Sequence, residues 1–229
     1  MSEVLPIVYI VDDDPAVRDA VAFLVGSVGY SHCLCASAPE LLRALDDSKP
    51  ACLVLDVRLP GLSGLELQRD LAKRKSSARI VFVSGHGDIP KAVRAIRLGA
   101  VDFLEKPFDD QIMLDRIGEA LAASAEELRR RACQAGLEKR LGGLPERERE
   151  VLRLVIAGKA SKTIAHELDI SVKTVENHRH NIMAKAGVAS VAQLIVWAAE
   201  PSRDGIGENT HRPPAPSRIG SPPRRRQDF

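Results

Sequence analysis

Chemically capable side chains fall where short apolar runs of this 229-residue chain end. Asp12-Asp13-Asp14 follow the run Ile7–Val11, Asp56 closes Cys52-Leu53-Val54-Leu55, Ser84 closes the run from Arg79, and Glu105-Lys106 follow Val101–Leu104. Carboxylates held close together repel, and a hard divalent cation such as Mg2+, with its preference for oxygen ligands, relieves that repulsion. Such a set suits phosphoryl transfer: one carboxylate attacks phosphorus while a cation, a lysine ammonium and a hydroxyl neutralise charge on the transferring group. Asp56 is the best nucleophile, because it ends an otherwise apolar strand. Each acid taken alone could equally be a helix cap or a solvated loop residue. For Asp14, which precedes Pro15 and a helical pattern, the cap is the preferred reading. For Asp12, Asp13, Asp56 and Lys106 together, coincidence at separate strand ends is the poorer explanation. His86, between Gly85 and Gly87, reads as an exposed loop histidine, with control of water attack on a phosphorylated acid as the alternative.

These groups act together only if the chain brings the strand ends to one edge. Ile7–Val11, Ser31–Ala36, Cys52–Asp56, Arg79–Ser84 and Val101–Leu104 are strand candidates. Amphipathic stretches such as Val17-Ala20-Val21-Leu24-Val25 and Ala92-Val93-Ile96 lie between them. Asp88 reads as the N-cap of a helix with Pro90 in its first turn, and Gly99 as the end of that helix. Repeated βα units fold into a parallel sheet covered on both faces, an α/β doubly wound architecture. In the flavodoxin-like strand order, functional groups collect beyond the carboxyl ends of strands one and three.

The strings Val11-Asp12-Asp13-Asp14, Leu55-Asp56-Val57-Arg58-Leu59-Pro60-Gly61, Ser84-Gly85-His86-Gly87-Asp88 and Gly99 to Phe108 resemble the receiver domains of bacterial response regulators, in particular the FixJ subgroup. The resemblance covers residues 7–120. It implies a flavodoxin-like five-stranded receiver in which Asp56 accepts phosphate from a sensor histidine kinase. It further implies that Asp12, Asp13, Asp56 and the backbone carbonyl of Arg58 hold Mg2+, that Lys106 pairs with the phosphoryl group, and that Ser84 and Phe103 move on activation. A cis Lys106-Pro107 peptide is implied too. Ser84 stands where this subgroup commonly has threonine, and Leu59 where methionine is usual; hydroxyl and apolar bulk are kept.

Four cysteines, Cys33, Cys35, Cys52 and Cys133, have neither zinc-site spacing nor the number of a disulfide scaffold, and read as reduced, buried thiols. No run approaches the roughly 20 apolar residues of a membrane span, so a cytoplasmic protein is expected. The domain reading is a receiver over 1–121, a solvated helical linker rich in Ala, Glu and Arg over 122–143, a small all-α domain over 144–199, and a Pro/Arg-rich tail over 200–229. Beyond Pro201 the tail has six arginines against three acids and little to bury, so disorder is expected.

The formal net charge is only +2, so affinity for nucleic acid has to come from a local arrangement. Beyond Gly143 the apolar positions recur at helical spacing and fit four short helices. Ser161–Leu168, a turn at Asp169-Ile170-Ser171 and a helix Val172–Lys185 capped by Ser171 could form a helix-turn-helix, about which Lys162, Lys173, Arg179 and Lys185 cluster. Periodicity alone would also fit a plain bundle. The strings Leu144 to Leu152, Ile164-Ala165, Lys173 to His178 and Ala184 to Val188 are similar to the LuxR-type helix-turn-helix over about 144–199, though Ala186 replaces the leucine usual before Gly-Val. That similarity implies double-stranded promoter DNA as ligand. Lys162, Lys173 and Lys185 would meet phosphates, Glu176, Asn177 and His180 base edges, with Thr174 and His178 in the same contact set. A last helix, Ser190–Ala199, presents Val191, Leu194, Ile195 and Ala198 and either packs in the core or pairs two copies.

The expected whole is a two-component response regulator: phosphorylation drives homodimerisation, through a fourth-helix face including Val93 and Arg97, and dimers bind DNA, with RNA polymerase as a further partner. It would not be an enzyme in the ordinary sense, the receiver supporting its own phosphotransfer and slow self-dephosphorylation. Two other classes stay open on the residues alone: a hydrolase with Asp12 as nucleophile and Asp14 as acid/base, and a DNA-binding adaptor indifferent to phosphate.

Overall fold

The computed structural model describes residues 5–85 and 89–199, in two compact units divided between Lys139 and Arg140. The expectations for Asp88, His86, the tail and the Ala198 side chain lie outside the described residues.

In the first unit β1 (Ile7–Val11), α1 (Pro15–Ser27), β2 (Ser31–Cys35), α2 (Ala38–Ala44), β3 (Ala51–Asp56), α3 (Gly64–Lys73), β4 (Arg79–Ser84), α4 (Ile89–Arg97) and β5 (Asp102–Glu105) alternate, and α5 (Asp110–Gly142) follows. The strands form one parallel sheet in the order β2-β1-β3-β4-β5, which reverses direction between β1 and β3. Because side chains alternate across a strand, the inner strands feed two cores. Tyr9, Val11, Leu53, Leu55 and Phe82 pack on one face with Leu41, Leu67 and Leu71 of α2 and α3. Val8, Ile10, Val54, Val81 and Val83 pack on the other with Val21 and Val25 of α1 and Met113 and Ile117 of α5. All six residues of β3 are buried, the environment of a central parallel strand.

Local chemistry sets the element ends. Asp14 caps α1, its side chain accepting the Ala16 N–H at 2.9 Å. Ser63 and Glu66 form a reciprocal capping box on α3. Lys106-Pro107 is cis, as the resemblance implied. The fifth strand lies one residue later than the apolar run suggested, at Asp102–Glu105, which leaves Lys106 directly after it.

The helical linker expected after Ala122 is the continuation of α5 itself. Ion pairs one turn apart, Arg129 with Glu126 and Arg130 with Glu127, support the helix where few large apolar residues do. Its first turns still belong to the receiver packing: Ser124 is buried, and its hydroxyl accepts the N–H of Ala51 at 3.0 Å.

All four thiols are free, but their burial is uneven. Cys35 and Cys52 are buried, Cys33 half-buried, and Cys133 exposed. The expectation of buried thiols fails at Cys133 because it lies on α5 beyond Ser124, where the helix no longer covers the sheet. Burial, and then the neighbouring Cys33, push the Cys35 thiol up to about 12, and burial alone pushes Cys52 up. Both are therefore inert thiols at neutral pH.

The second unit holds α6 (Glu146–Ile156), α7 (Ser161–Glu167), α8 (Val172–Ala186) and α9 (Val191–Ala199), the four short helices expected. Leu144, Val151, Leu152, Val155, Ile164, Ala165, Val175, Ile182, Ala186 and Leu194 are among its buried hydrophobic residues. The α7–α8 turn is tight: Asp169 adopts φ 53°, and Ser171 caps α8 by accepting the Thr174 N–H at 3.0 Å. Gly187 ends α8 with φ 68°, where a Cβ would also press on the Arg140 guanidinium at 3.3 Å.

Candidate functional site

Register brings the acids together. Val11 pairs with Leu55, so the next residues, Asp12 and Asp56, stand side by side at the switch between β1 and β3. Lys106 is placed by β4, its N–H donating to the Ser84 carbonyl at 2.8 Å. Its ammonium reaches between the two acids, 2.5 Å from Asp12 Oδ2 and 3.1 Å from Asp56 Oδ1. Asp12 and Asp56 are only 1% and 7% exposed, so this is a buried set with two negative charges and one positive. The other oxygens are also held: Asp12 Oδ1 accepts the Asp14 N–H at 2.9 Å, and Asp56 Oδ2 accepts the Arg58 N–H at 2.6 Å.

The electrostatics follow from that count. Burial pushes the Asp56 carboxyl above its ordinary range, against the opposing pull of the Lys106 hydrogen bond and charge and of the Arg58 N–H. Burial pulls the Lys106 ammonium down, but hydrogen bonds and charge from Asp12 and Asp56 outweigh it and leave its pKa raised. The pocket therefore favours the charged form of Lys106, while the Asp56 carboxylate is under-compensated by its surroundings.

The remaining receiver residues are placed as follows. Ser84 is buried at the end of β4, in register with Glu105. Phe103 is half-buried in β5, its ring 6.2 Å from that of Phe82 and tilted by 35°. Asp13 is exposed beside the pocket. Of Arg58 the N–H is the group seen at Asp56. Among the described residues no three Asp, Glu, His or Cys side chains are gathered as a ready cage for a metal; here the lysine spans the acids instead. The donors nevertheless fit a hard divalent cation. The carboxylate oxygens are hard donors, and two buried acids sharing one ammonium leave negative charge in surplus.

Two contributors escaped the sequence reading. Gly64 opens α3 so close to the site that a Cβ there would lie 2.5 Å from the Asp56 carbonyl oxygen. Arg18, one turn into α1, donates from Nη1 to the carbonyls of Asp12 at 2.7 Å and Asp13 at 3.1 Å. Neither is visible as a spacing pattern, since both act on backbone.

On α8, Lys173, Glu176, Asn177 and His180 fall at helical spacing and all four are exposed; Lys162 is exposed on α7. Thr174, Glu176 and Lys185 already have side-chain partners within the domain. The Thr174 hydroxyl shares a hydrogen bond with Ser171 at 2.8 Å, and Glu176 accepts from the Ser161 hydroxyl. His178 is half-buried with an unpartnered Nδ1. Lys185 holds the buried carboxylate of Glu148, at 2.7 and 2.9 Å.

A parallel sheet with this pocket, followed by a helix-turn-helix, defines a receiver joined to a DNA-binding domain. The profile of the response regulator receiver domain matches residues 8–118, and that of the bacterial regulatory proteins of the luxR family matches 143–198. The transcriptional regulatory protein FixJ of Azorhizobium caulinodans is 45% identical over 198 residues, which span 86% of this chain and 93% of that protein. The response regulator protein TodT of Pseudomonas putida is 43% identical over 195 residues, 85% of this chain and 86% of TodT. Among solved structures the response regulator StyR aligns with TM-score 0.69 and 42% identity, covering 86% of this chain and 99% of StyR. Full-length FixJ from B. japonicum aligns with TM-score 0.51 and 40% identity, covering 84% of this chain and 95% of that one. The chain belongs to the FixJ-like response regulators, a family of transcriptional regulators, and the hydrolase reading falls with that membership. No described helix is long and apolar enough to cross a membrane.

Proposed function

We propose that Asp56 is the phosphoacceptor of a cytoplasmic two-component switch that controls transcription from promoter DNA. The observation that carries this reading is the Lys106 ammonium shared by two buried carboxylates, which leaves Asp56 oriented and its charge under-compensated. An Asp56 oxygen forms the new P–O bond as the P–N bond of a phosphohistidine on a sensor kinase breaks, and the imidazole leaves with a proton. Asp12, Asp13, Asp56 and the Arg58 carbonyl would hold Mg2+, which when bound supplies charge neutralisation at the phosphoryl oxygens. Lys106 gives one ammonium to the same oxygens, and the Ser84 hydroxyl closes on them with Phe103 following. Water then returns the acyl phosphate to Asp56 slowly.

The output is DNA binding by a dimer. On α4, Ile89, Val93 and Ile96 are exposed in a stripe beside Arg97, a face suited to pairing two phosphorylated receivers. Lys162 and Lys173 would meet phosphates while Asn177, His180 and Glu176 face base edges, with Thr174 and His178 shaping that surface. Lys185 reaches phosphate only by leaving Glu148. Recruitment of RNA polymerase completes the activity.

The test is treatment of the full-length chain with acetyl phosphate, with and without Mg2+. Mg2+-dependent phosphorylation at Asp56, a shift to dimer and tighter promoter binding are expected, and Asp56→Asn should lose all three. Label on Asp12, or a phosphodonor-dependent gain in dimer and promoter binding that Asp56→Asn retains, would sink the reading.

A further inference from the structure

The β1–α1 turn carries two of the three acids, and the sheet holds it on the donor side, where the Asp12 N–H donates to the Cys35 carbonyl of β2 at 3.3 Å. The last pair of β1 with β3 is Val11 with Leu55, so the carbonyls of Asp12 and Asp13 lie beyond the final rung. Backbone carbonyls need partners, and here both take the same one: Nη1 of Arg18, at 2.7 and 3.1 Å. Arg18 is itself anchored in α1, and its own N–H donates to the Asp14 carbonyl at 3.2 Å. Three successive carbonyls of the acidic turn therefore converge on one residue.

The consequence differs between the two acids. The Asp12 carboxylate has side-chain partners of its own, Lys106 and the Asp14 N–H. The Asp13 carboxylate makes no hydrogen bond among the described residues, so its direction comes from its backbone alone, and that backbone is what Arg18 holds. We propose that Arg18 is a positioning residue for the divalent-cation site: by holding the carbonyls of Asp12 and Asp13 toward α1, it keeps both carboxylates facing the pocket. This rests on the phosphoacceptor reading, since it concerns the cation that reading requires.

The sign of the effect separates positioning from simple charge. A guanidinium near a cation site repels the cation, so its removal would tighten Mg2+ binding if Coulomb repulsion were its only influence. If Arg18 holds the ligands in place, its removal weakens binding instead, as loss of groups that orient metal ligands does.

The experiment is calorimetric titration of Mg2+ into the full-length wild type, Arg18→Met and Arg18→Lys, with urea unfolding in EDTA alongside. Arg18→Met keeps the aliphatic stem and loses every donor. It should bind Mg2+ about ten-fold more weakly while unfolding in EDTA much as the wild type does. Arg18→Lys, which can still donate to both carbonyls, should recover the affinity. Acetyl phosphate labelling of Asp56 at saturating Mg2+ should be close to wild type in all three. Should Arg18→Met fail to fold, Arg18→Gln, too short to span the two carbonyls, is read the same way. Equal or tighter Mg2+ binding by the donor-less variant overturns the positioning role and leaves the phosphoacceptor reading intact, because the wild type still binds Mg2+ and is labelled. A wild type that neither binds Mg2+ nor is labelled overturns both.

Discussion

Each unit of the molecule buries a carboxylate against a lysine, and the two arrangements have opposite meanings. In the receiver, Asp12 and Asp56 share the single ammonium of Lys106. In the DNA-binding unit, Glu148 on α6, 6% exposed, has the ammonium of Lys185 on α8 to itself. The second pair is balanced and ties two helices together. The first is one positive charge short, a deficit that the proposed cation would make good. Burial of an acid alone does not mark a functional site; the ratio of acids to cations does.

Removing the lysines tests the comparison most severely. Lys106→Met leaves two buried acids facing one another and should cost about 3 kcal/mol in urea unfolding without metal. Added Mg2+ should return a measurable part of that loss, because a cation that binds only the folded state stabilises it. Lys185→Met strands one acid, but this lysine is nearly half exposed and its pair partly screened, so about 1–2 kcal/mol is expected. Mg2+ should do nothing for it. A Mg2+ response at Lys185→Met, or none at Lys106→Met, would erase the distinction.

The smallest effect is the most specific. Because the Asp56 carboxyl is pushed upward by burial, the folded chain holds that proton more tightly than the unfolded chain does. Its contribution to stability is complete below the unfolded aspartate range and is lost as pH rises through the raised folded value. Ionised Asp56 is therefore a burden at neutral pH, and Asp56→Asn should melt slightly higher than wild type at pH 7. The gap should close in acid, as followed by circular dichroism. A lower melting temperature for Asp56→Asn at pH 7 would mean that Lys106 compensates both acids fully.

The acids and the lysine were legible in the sequence because their meaning lies in residue type and place: a charge where an apolar strand stops. The fold was legible for a related reason, since strands such as Ile7–Val11 and Arg79–Ser84 are continuous apolar runs with clear ends. What stayed hidden acts through the backbone or through distant partners. Gly64 matters because of a carbonyl that approaches it, Arg18 because of two carbonyls without rungs, and Lys185 because Glu148, far away in sequence, lies beneath it. The extent of α5 was hidden too. Its alanines and ion-paired charges read as a solvated spacer, yet Ser124 is fully buried.

That serine has a practical corollary for dissecting the molecule. β3 carries Asp56 at one end, and at the other its first amide, Ala51, donates to Ser124. A fragment cut at residue 118, where the receiver profile stops, would lose Ala120 and Leu121 from its packing and leave that amide without its acceptor. The smallest excisable receiver module of this chain therefore ends past Ser124, inside a helix that family boundaries would split.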